Sequence, residues 1–371
     1  MAPNIHLPFY LKIAQIFLGI IAFFFILYIG QDIIIPITYA MLIAVLLNPF
    51  VNYLCKHKFN RAVAILLAIL LAFILVVATI YFIASQVIKF GDTLPQLKVK
   101  FNLVYQQGIG WVSEHLNISK SRIDNWINNT KGEGMKNSNT LIGQTITTIG
   151  GVLVIIFLLP VYIFMILFYK PLLVEFISRL FPKDKHSTVA EVLMETKALI
   201  SNYLVGLLFE MVIVAILNIA ALLILGIQYA VLLGIIGALL NLIPYIGGIV
   251  AIALPMIIAI ATKSPEYALY VLIAYIIVQF IDNNFLVPKI VASKVKINAL
   301  VSIIVVLVGG AMWGIPGMFL SIPLIAILKV MFDRINPLKP WGFLLGDTIP
   351  SIVSFKFNLP KKRVKKQVIQ Q

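Results

Sequence analysis

Long uncharged stretches alternate along the chain with short clusters of charge. Lys12 and Asp32 bracket the first stretch, 19 residues at 13–31. A second run, 33–55, stops at Lys56, Lys58 and Arg61, and a third covers 62–88. A spanning helix needs about 20 apolar residues, so each run predicts one crossing. A cleavable secretion signal has a shorter apolar core followed by a small-residue site. Here Asp32 to Pro36 and another apolar run follow, so the first run reads as a retained helix. The pattern then changes. Residues 89–136 carry Lys, Asp, Glu, His and Arg, with Trp111 and Trp126 among them, which predicts a water-facing, extracytoplasmic helical insert bounded at 89–140. Run four, 141–169, contains Pro160, where a kink is expected because proline removes a backbone donor. The basic stretch 170–197 reads as a cytoplasmic loop, with a short surface helix at 186–198.

Beyond Ala198 the apolar pattern is almost continuous. Glu210 is the only charge between Lys197 and Lys263. A shorter run, 267–281, is closed by Asp282, and 297–328 is closed by Lys329. Two segments, 229–262 and 297–328, have the wrong length for one crossing. A straight helix of 32 residues would be about 48 Å long, against a hydrocarbon layer of about 30 Å. Each carries proline and glycine at its middle: Asn241 to Gly248 in one, Gly309 to Gly317 in the other. Both are expected to be re-entrant or broken helical hairpins, each half about 14 residues or 21 Å long. Their tips, Pro244, Tyr245, Gly247 and Gly248 in the first and Gly310, Trp313, Pro316 and Gly317 in the second, are expected to meet near the bilayer middle. The alternative for each is one long tilted helix with a proline kink.

Loop charge favours the hairpins. With two hairpins, Lys289, Lys294 and Lys296 fall on the cytoplasmic side with the other short basic loops. With two single crossings they fall outside, against the positive-inside rule. A weak internal repeat agrees: Glu210 precedes Pro244 by 34 residues, as Asp282 precedes Pro316. A span-plus-hairpin unit used twice in opposite orientation is a transporter design. The expected organisation is N-terminal membrane helices at 1–88, the insert at 89–140, a transport core at 141–335 and a basic cytoplasmic tail at 336–371. Both termini are expected in the cytoplasm.

Composition sharpens the class. Hydrophobic residues make up 61% and charged residues 12% of 371 residues. Soluble domains run near 45–50% and 25%, so a water-soluble globule is excluded. The fold class is an all-α polytopic membrane protein with about eight hydrophobic segments. The net charge of +15 accompanies no nucleic-acid-binding pattern; its expected partner is the headgroup layer of the bilayer. Cys55, the single cysteine, excludes an intrachain disulfide and a cysteine metal site. There is no Walker lysine motif, HExxH or GxSxG, so neither an enzyme nor an ATP-driven pump is expected, nor a bound metal or cofactor.

Ionisable groups within a membrane are costly and mark candidate sites. Glu210 and Asp282 are the two such acids. Either could instead pair with a lysine near a membrane face, Lys197 or Lys289. Asp282 is favoured, because Gln279, Asn283 and Asn284 surround it and side-chain oxygens of this kind replace water around a cation or bond a polyol. It is expected near the bilayer boundary, with Pro288 limiting helical continuation. Asn241 adds a polar side chain at the first hairpin tip.

Three stretches, Asn241 to Gly248, Val278 to Lys289 and Gly309 to Pro323, resemble the signature blocks of the AI-2E family, the autoinducer-2 exporter-like transporters of prokaryotes. Pro36 to Pro49 and Arg61-Ala-Val63 fit as well. One departure is Gly206-Leu207, where such proteins often carry Gly-Gln. The resemblance implies a multi-pass inner-membrane protein, a homo-oligomer such as a pentamer, and export of a small quorum-sensing signal. Some similar proteins are monovalent cation/proton antiporters. A channel with a static glycine-lined pore and a non-transporting scaffold whose insert binds a partner are the remaining alternatives.

Overall fold

The computed structural model describes residues 8–91, 157–243, 247–292 and 296–348, with scattered positions between 95 and 114. The hairpin-tip residues Pro244 and Tyr245, most of the insert, and the tail from residue 349 lie outside the described residues. In chain order, the helices are α1 (Phe9–Ile29), α2 (Gln31–Lys56), α3 (Arg61–Gly91), α4 (Phe157–Phe168), α5 (Lys170–Arg179) and α6 (His186–Ile224). After these come α7 (Ala230–Asn241), α8 (Gly247–Thr262), α9 (Pro265–Ile281), a π-helical segment (Asp282–Ala292), α10 (Ala299–Arg334) and α11 (Lys339–Leu345). Helix is the form lipid demands, because every backbone donor must find its acceptor within the segment.

Among the described residues, six helices are long and apolar enough to cross a membrane, or seven if α4 and α5, bent by 61° to each other, form one span. The chain is therefore an all-α polytopic membrane protein. In lipid, apolar side chains gain little by leaving the bilayer for each other, so helices associate through close packing of small residues. The α2–α3–α4 bundle follows this rule: Ala40 and Ala44 meet Ala64 and Ala68, with Ile163 and Leu167 closing the cluster.

Both segments of unusual length fold back on themselves. In the first, α7 and α8 are separate helices. Gly237 and Ala251 are 14 residues apart, about 21 Å in a straight helix, yet a Cβ on Gly237 would sit 3.7 Å from that of Ala251. In the second, Gly314 has φ 62° and ψ −144°, a conformation open essentially to glycine alone. It splits α10 into two halves that lie against each other. A Cβ on Gly309 would collide with Ser321 Oγ and the Gly317 carbonyl.

Among the described residues, which leave out the first tip at 244–246, the two hairpins do not pack on each other. Both pack on α6, and α10 makes no extended contact with α7 or α8. At 39 residues, α6 is about 58 Å long, enough to give each hairpin its own surface. It also absorbs the surface helix expected at 186–198, since the whole segment from His186 is one helix. The second hairpin's turn is held by the N-terminal helices. Trp313 Nε1 donates to the Leu27 carbonyl at 3.0 Å, and the Tyr39 hydroxyl donates to the Pro316 carbonyl at 3.3 Å. At the far end, Arg334 pairs with Glu191 at 2.8 Å and Glu195 at 2.9 Å, tying α10 to the first turns of α6. Residues 336–348, the first part of the segment read as a tail, are folded: Asn298 Nδ2 donates to the carbonyls of Leu344 and Gly346.

Candidate functional site

The break in the first hairpin brings the candidate residues together. Asn241 is the last residue of α7, and its Nδ2 donates to Asp282 Oδ2 at 2.8 Å. Gln279, one turn earlier on α9, donates to the same oxygen at 3.5 Å and to Asn283 Oδ1 at 3.4 Å. Gly248 on α8 leaves room for this group, since a Cβ there would stand 2.7 Å from Gln279 Oε1. Asn283 and Asn284 are exposed, and Asn284 Nδ2 donates to the Phe280 carbonyl at 2.9 Å. Gly247 begins α8, where a Cβ would collide with the Leu240 carbonyl.

Asp282 lies at the centre of this polar group. It is 1% exposed, and its Oδ1 is buried with no hydrogen-bond partner among the described residues. The helix does not stop there. The chain continues through Pro288 as π-helix, a form often found at functional sites. Close packing on α6 positions this segment, for a Cβ on Gly206 would lie 2.8 Å from the Ile290 carbonyl oxygen.

Glu210 on α6 is 6% exposed, and its carboxyl is near enough to that of Asp282 for the two to repel. Among the described residues, neither acid forms a salt bridge. The alternative pairing of Glu210 with Lys197 is therefore not made. Gly310, Trp313, Pro316 and Gly317 belong to the other hairpin. The Gly317 carbonyl accepts from Ser321 Oγ at 2.6 Å, and Trp313 and Pro316 bond to α1 and α2 rather than to Asp282.

Two polar residues that the sequence reading passed over complete the picture. Asn218 and Tyr275 are buried, and Asn218 Oδ1 and the Tyr275 hydroxyl lack partners. Both flank Gly237, where a Cβ would stand 3.2 Å from each. Helical spacing could have found them. Asn218 lies eight residues after Glu210 and Tyr275 seven before Asp282, so each shares a face with its acid. Between the two polar levels, Val214, Ala238 and Val278 form a buried apolar cluster, one residue from each of α6, α7 and α9. The seam thus reads polar, apolar, polar.

A buried polar seam inside a bundle of apolar helices, at the break of a helical hairpin, defines a polytopic membrane protein of the transporter type. Sequence comparison agrees. The AI-2E family transporter model matches residues 17–336, and the chain belongs to that family. It is 26% identical to YueF of Bacillus subtilis (strain 168) over 310 residues, 81% of this chain and 83% of that one. It is 25% identical to the AI-2 transport protein TqsA of Escherichia coli (strain K12) over 325 residues, 86% of this chain and 90% of that one. YueF is named as a candidate transport protein without a substrate.

Proposed function

We propose that the chain is a secondary transporter exporting a small polar molecule of the autoinducer-2 kind, with Asp282, Asn241 and Gln279 at its binding site. The observation that carries this is the unpartnered Oδ1 of Asp282 at the hairpin break. A buried acceptor without a donor costs about 1–3 kcal/mol, and a hydroxyl-rich solute supplies that donor. The name of TqsA supports the substrate class. Asn283 and Asn284 offer amides at the exposed side of the same segment. Flux in proteoliposomes tests the reading: a carrier saturates and shows counterflow, whereas a channel gives unitary currents. Failure of an autoinducer-2-like polyol to drive counterflow removes the substrate assignment.

A second reading is monovalent cation/proton antiport. The neighbouring carboxyls of Glu210 and Asp282, neither in a salt bridge among the described residues, favour it. A sodium or potassium gradient that drives proton movement in the same vesicles selects it. Both readings place the chain in the plasma membrane of its cell as a homo-oligomer, with both termini and the 289–296 loop cytoplasmic. In a Cys55→Ser background, a cysteine at position 294 that reacts with impermeant reagent from outside overturns that orientation. Mass photometry of the purified protein reads the oligomer number, a pentamer in this reading.

A further inference from the structure

A second, separate recess lies where α2, α3, α4 and α5 converge. It is an open groove of about 770 Å³ lined by Asn48 and Cys55 of α2, Arg61 of α3, Leu167 of α4, and Lys170 and Glu175 of α5. Transport as argued above makes no use of it. Its chemistry is cationic. The ammonium of Lys170 and the guanidinium of Arg61 are near enough to repel, and Lys197 adds a third positive charge within range. Among the described residues, none of the three forms a salt bridge. The one carboxylate lining the groove, Glu175, is engaged with Arg179 at 2.9 Å.

The neutral side chains hold these cations in place rather than neutralising them. Lys170 Nζ donates to Asn48 Oδ1 at 2.9 Å, and Arg61 donates to the Leu167 carbonyl at 2.7 Å. An ammonium can only donate, so this bond fixes the Asn48 amide with its oxygen toward the lysine. The other end, Nδ2, is buried and has no acceptor. Gathered cations and an unsatisfied amide donor are what a compact, multiply accepting anion requires. Position narrows the anion further. The groove sits where apolar helices end and the basic clusters at 56–61 and 170–185 begin, and exposed Phe59 lines it. Basic recesses between spanning helices at this level bind lipid headgroups.

We propose that this groove binds the phosphate of an anionic membrane phospholipid between Lys170 and Arg61, with the acyl chains lying along the apolar flanks of α3 and α4.

The chain's single cysteine reports directly on the groove. Wild-type protein is reconstituted in phosphatidylcholine vesicles with or without phosphatidylglycerol and exposed to uncharged N-ethylmaleimide. Phosphatidylglycerol should slow modification of Cys55, by about tenfold where the lipid exceeds its dissociation constant tenfold. In Lys170→Gln protein, checked for folding by gel filtration, the protection should disappear. Protection that survives Lys170→Gln assigns the effect to general surface charge and overturns the proposal. Equal protection by inorganic phosphate in phosphatidylcholine vesicles makes this a free-anion site and overturns the lipid assignment. An unchanged Cys55 rate in phosphatidylglycerol overturns it outright. Native mass spectrometry of wild-type protein gives a readout that depends on no variant: it should retain phosphatidylglycerol over phosphatidylcholine, and equal retention counts against the site.

Discussion

Asn218 on α6 and Tyr275 on α9 approach Gly237 from two sides, each 3.2 Å from where a Cβ would stand there, and each keeps one buried polar atom unpaired. An unsatisfied buried hydroxyl works against folding. Tyr275→Phe removes it at nearly constant shape, so thermal stability in detergent should hold or rise. Substrate flux should fall if the seam carries the solute. Unchanged flux with unchanged stability would make Tyr275 a packing residue only.

Asp282→Asn keeps the shape of the side chain and removes its titration. Expression and gel-filtration profile should remain close to wild type, while proton-linked flux is lost. Wild-type transport with wild-type pH dependence in the purified variant moves the coupling role to Glu210 or to the hairpin backbone. Glu210→Gln should have the smaller effect, because Glu210 is not hydrogen-bonded to Asn241 or Gln279 and Asp282 is.

Asn241→Ala removes the shortest hydrogen bond to Asp282 and leaves Gln279 at 3.5 Å as the remaining donor. Bonds to charged groups contribute about 1.5–3 kcal/mol. Apparent substrate affinity should therefore weaken by tenfold or more, on the order of 1.4 kcal/mol per decade. Asn241→Asp, which places a third carboxyl beside the first two, should be worse than alanine. The order alanine before aspartate in a flux assay checks this.

The hinge gives a stability prediction. Gly314→Ala forces a side chain into a backbone conformation that costs about 1–3 kcal/mol, and should lower the unfolding temperature of the detergent-solubilised protein. Gly19→Ala is the matched control, since nothing lies within 4 Å of a Cβ at that position. Equal effects of the two would argue that α10 is one continuous helix.

Much of this fold is readable from run lengths. The uncharged stretches at 13–31, 33–55 and 62–88 match α1, α2 and α3, and the 32 residues at 297–328, too long for one crossing and with glycine and proline in the middle, match the hairpin that Gly314 turns. What the pattern does not encode is which surface each hairpin meets. Charge arithmetic treats the hairpins as equals facing each other, whereas α6 is long enough to receive both. The same limit applies to the site. Asp282 stands out because charge is rare in the membrane. The residue that bonds it, Asn241, was proposed from its place at a tip, and their contact across 41 residues is tertiary information. Asn218 and Tyr275 were missed because a single asparagine or tyrosine is common in membrane helices. Only their register with the two acids marks them.

The apolar level formed by Val214, Ala238 and Val278 has a consequence for how anything could pass. It separates two polar shelves that lie eight residues apart on α6, about 12 Å of rise. A chain of waters there would have to wet three hydrocarbon side chains with no polar group to hold it, and such constrictions close by dewetting. Each side chain belongs to a different helix, so sliding of α6, α7 and α9 against one another would open the septum. In the proposed function, a solute resting beside Asp282 advances with a rearrangement of the bundle, and each passage admits a fixed load rather than a stream.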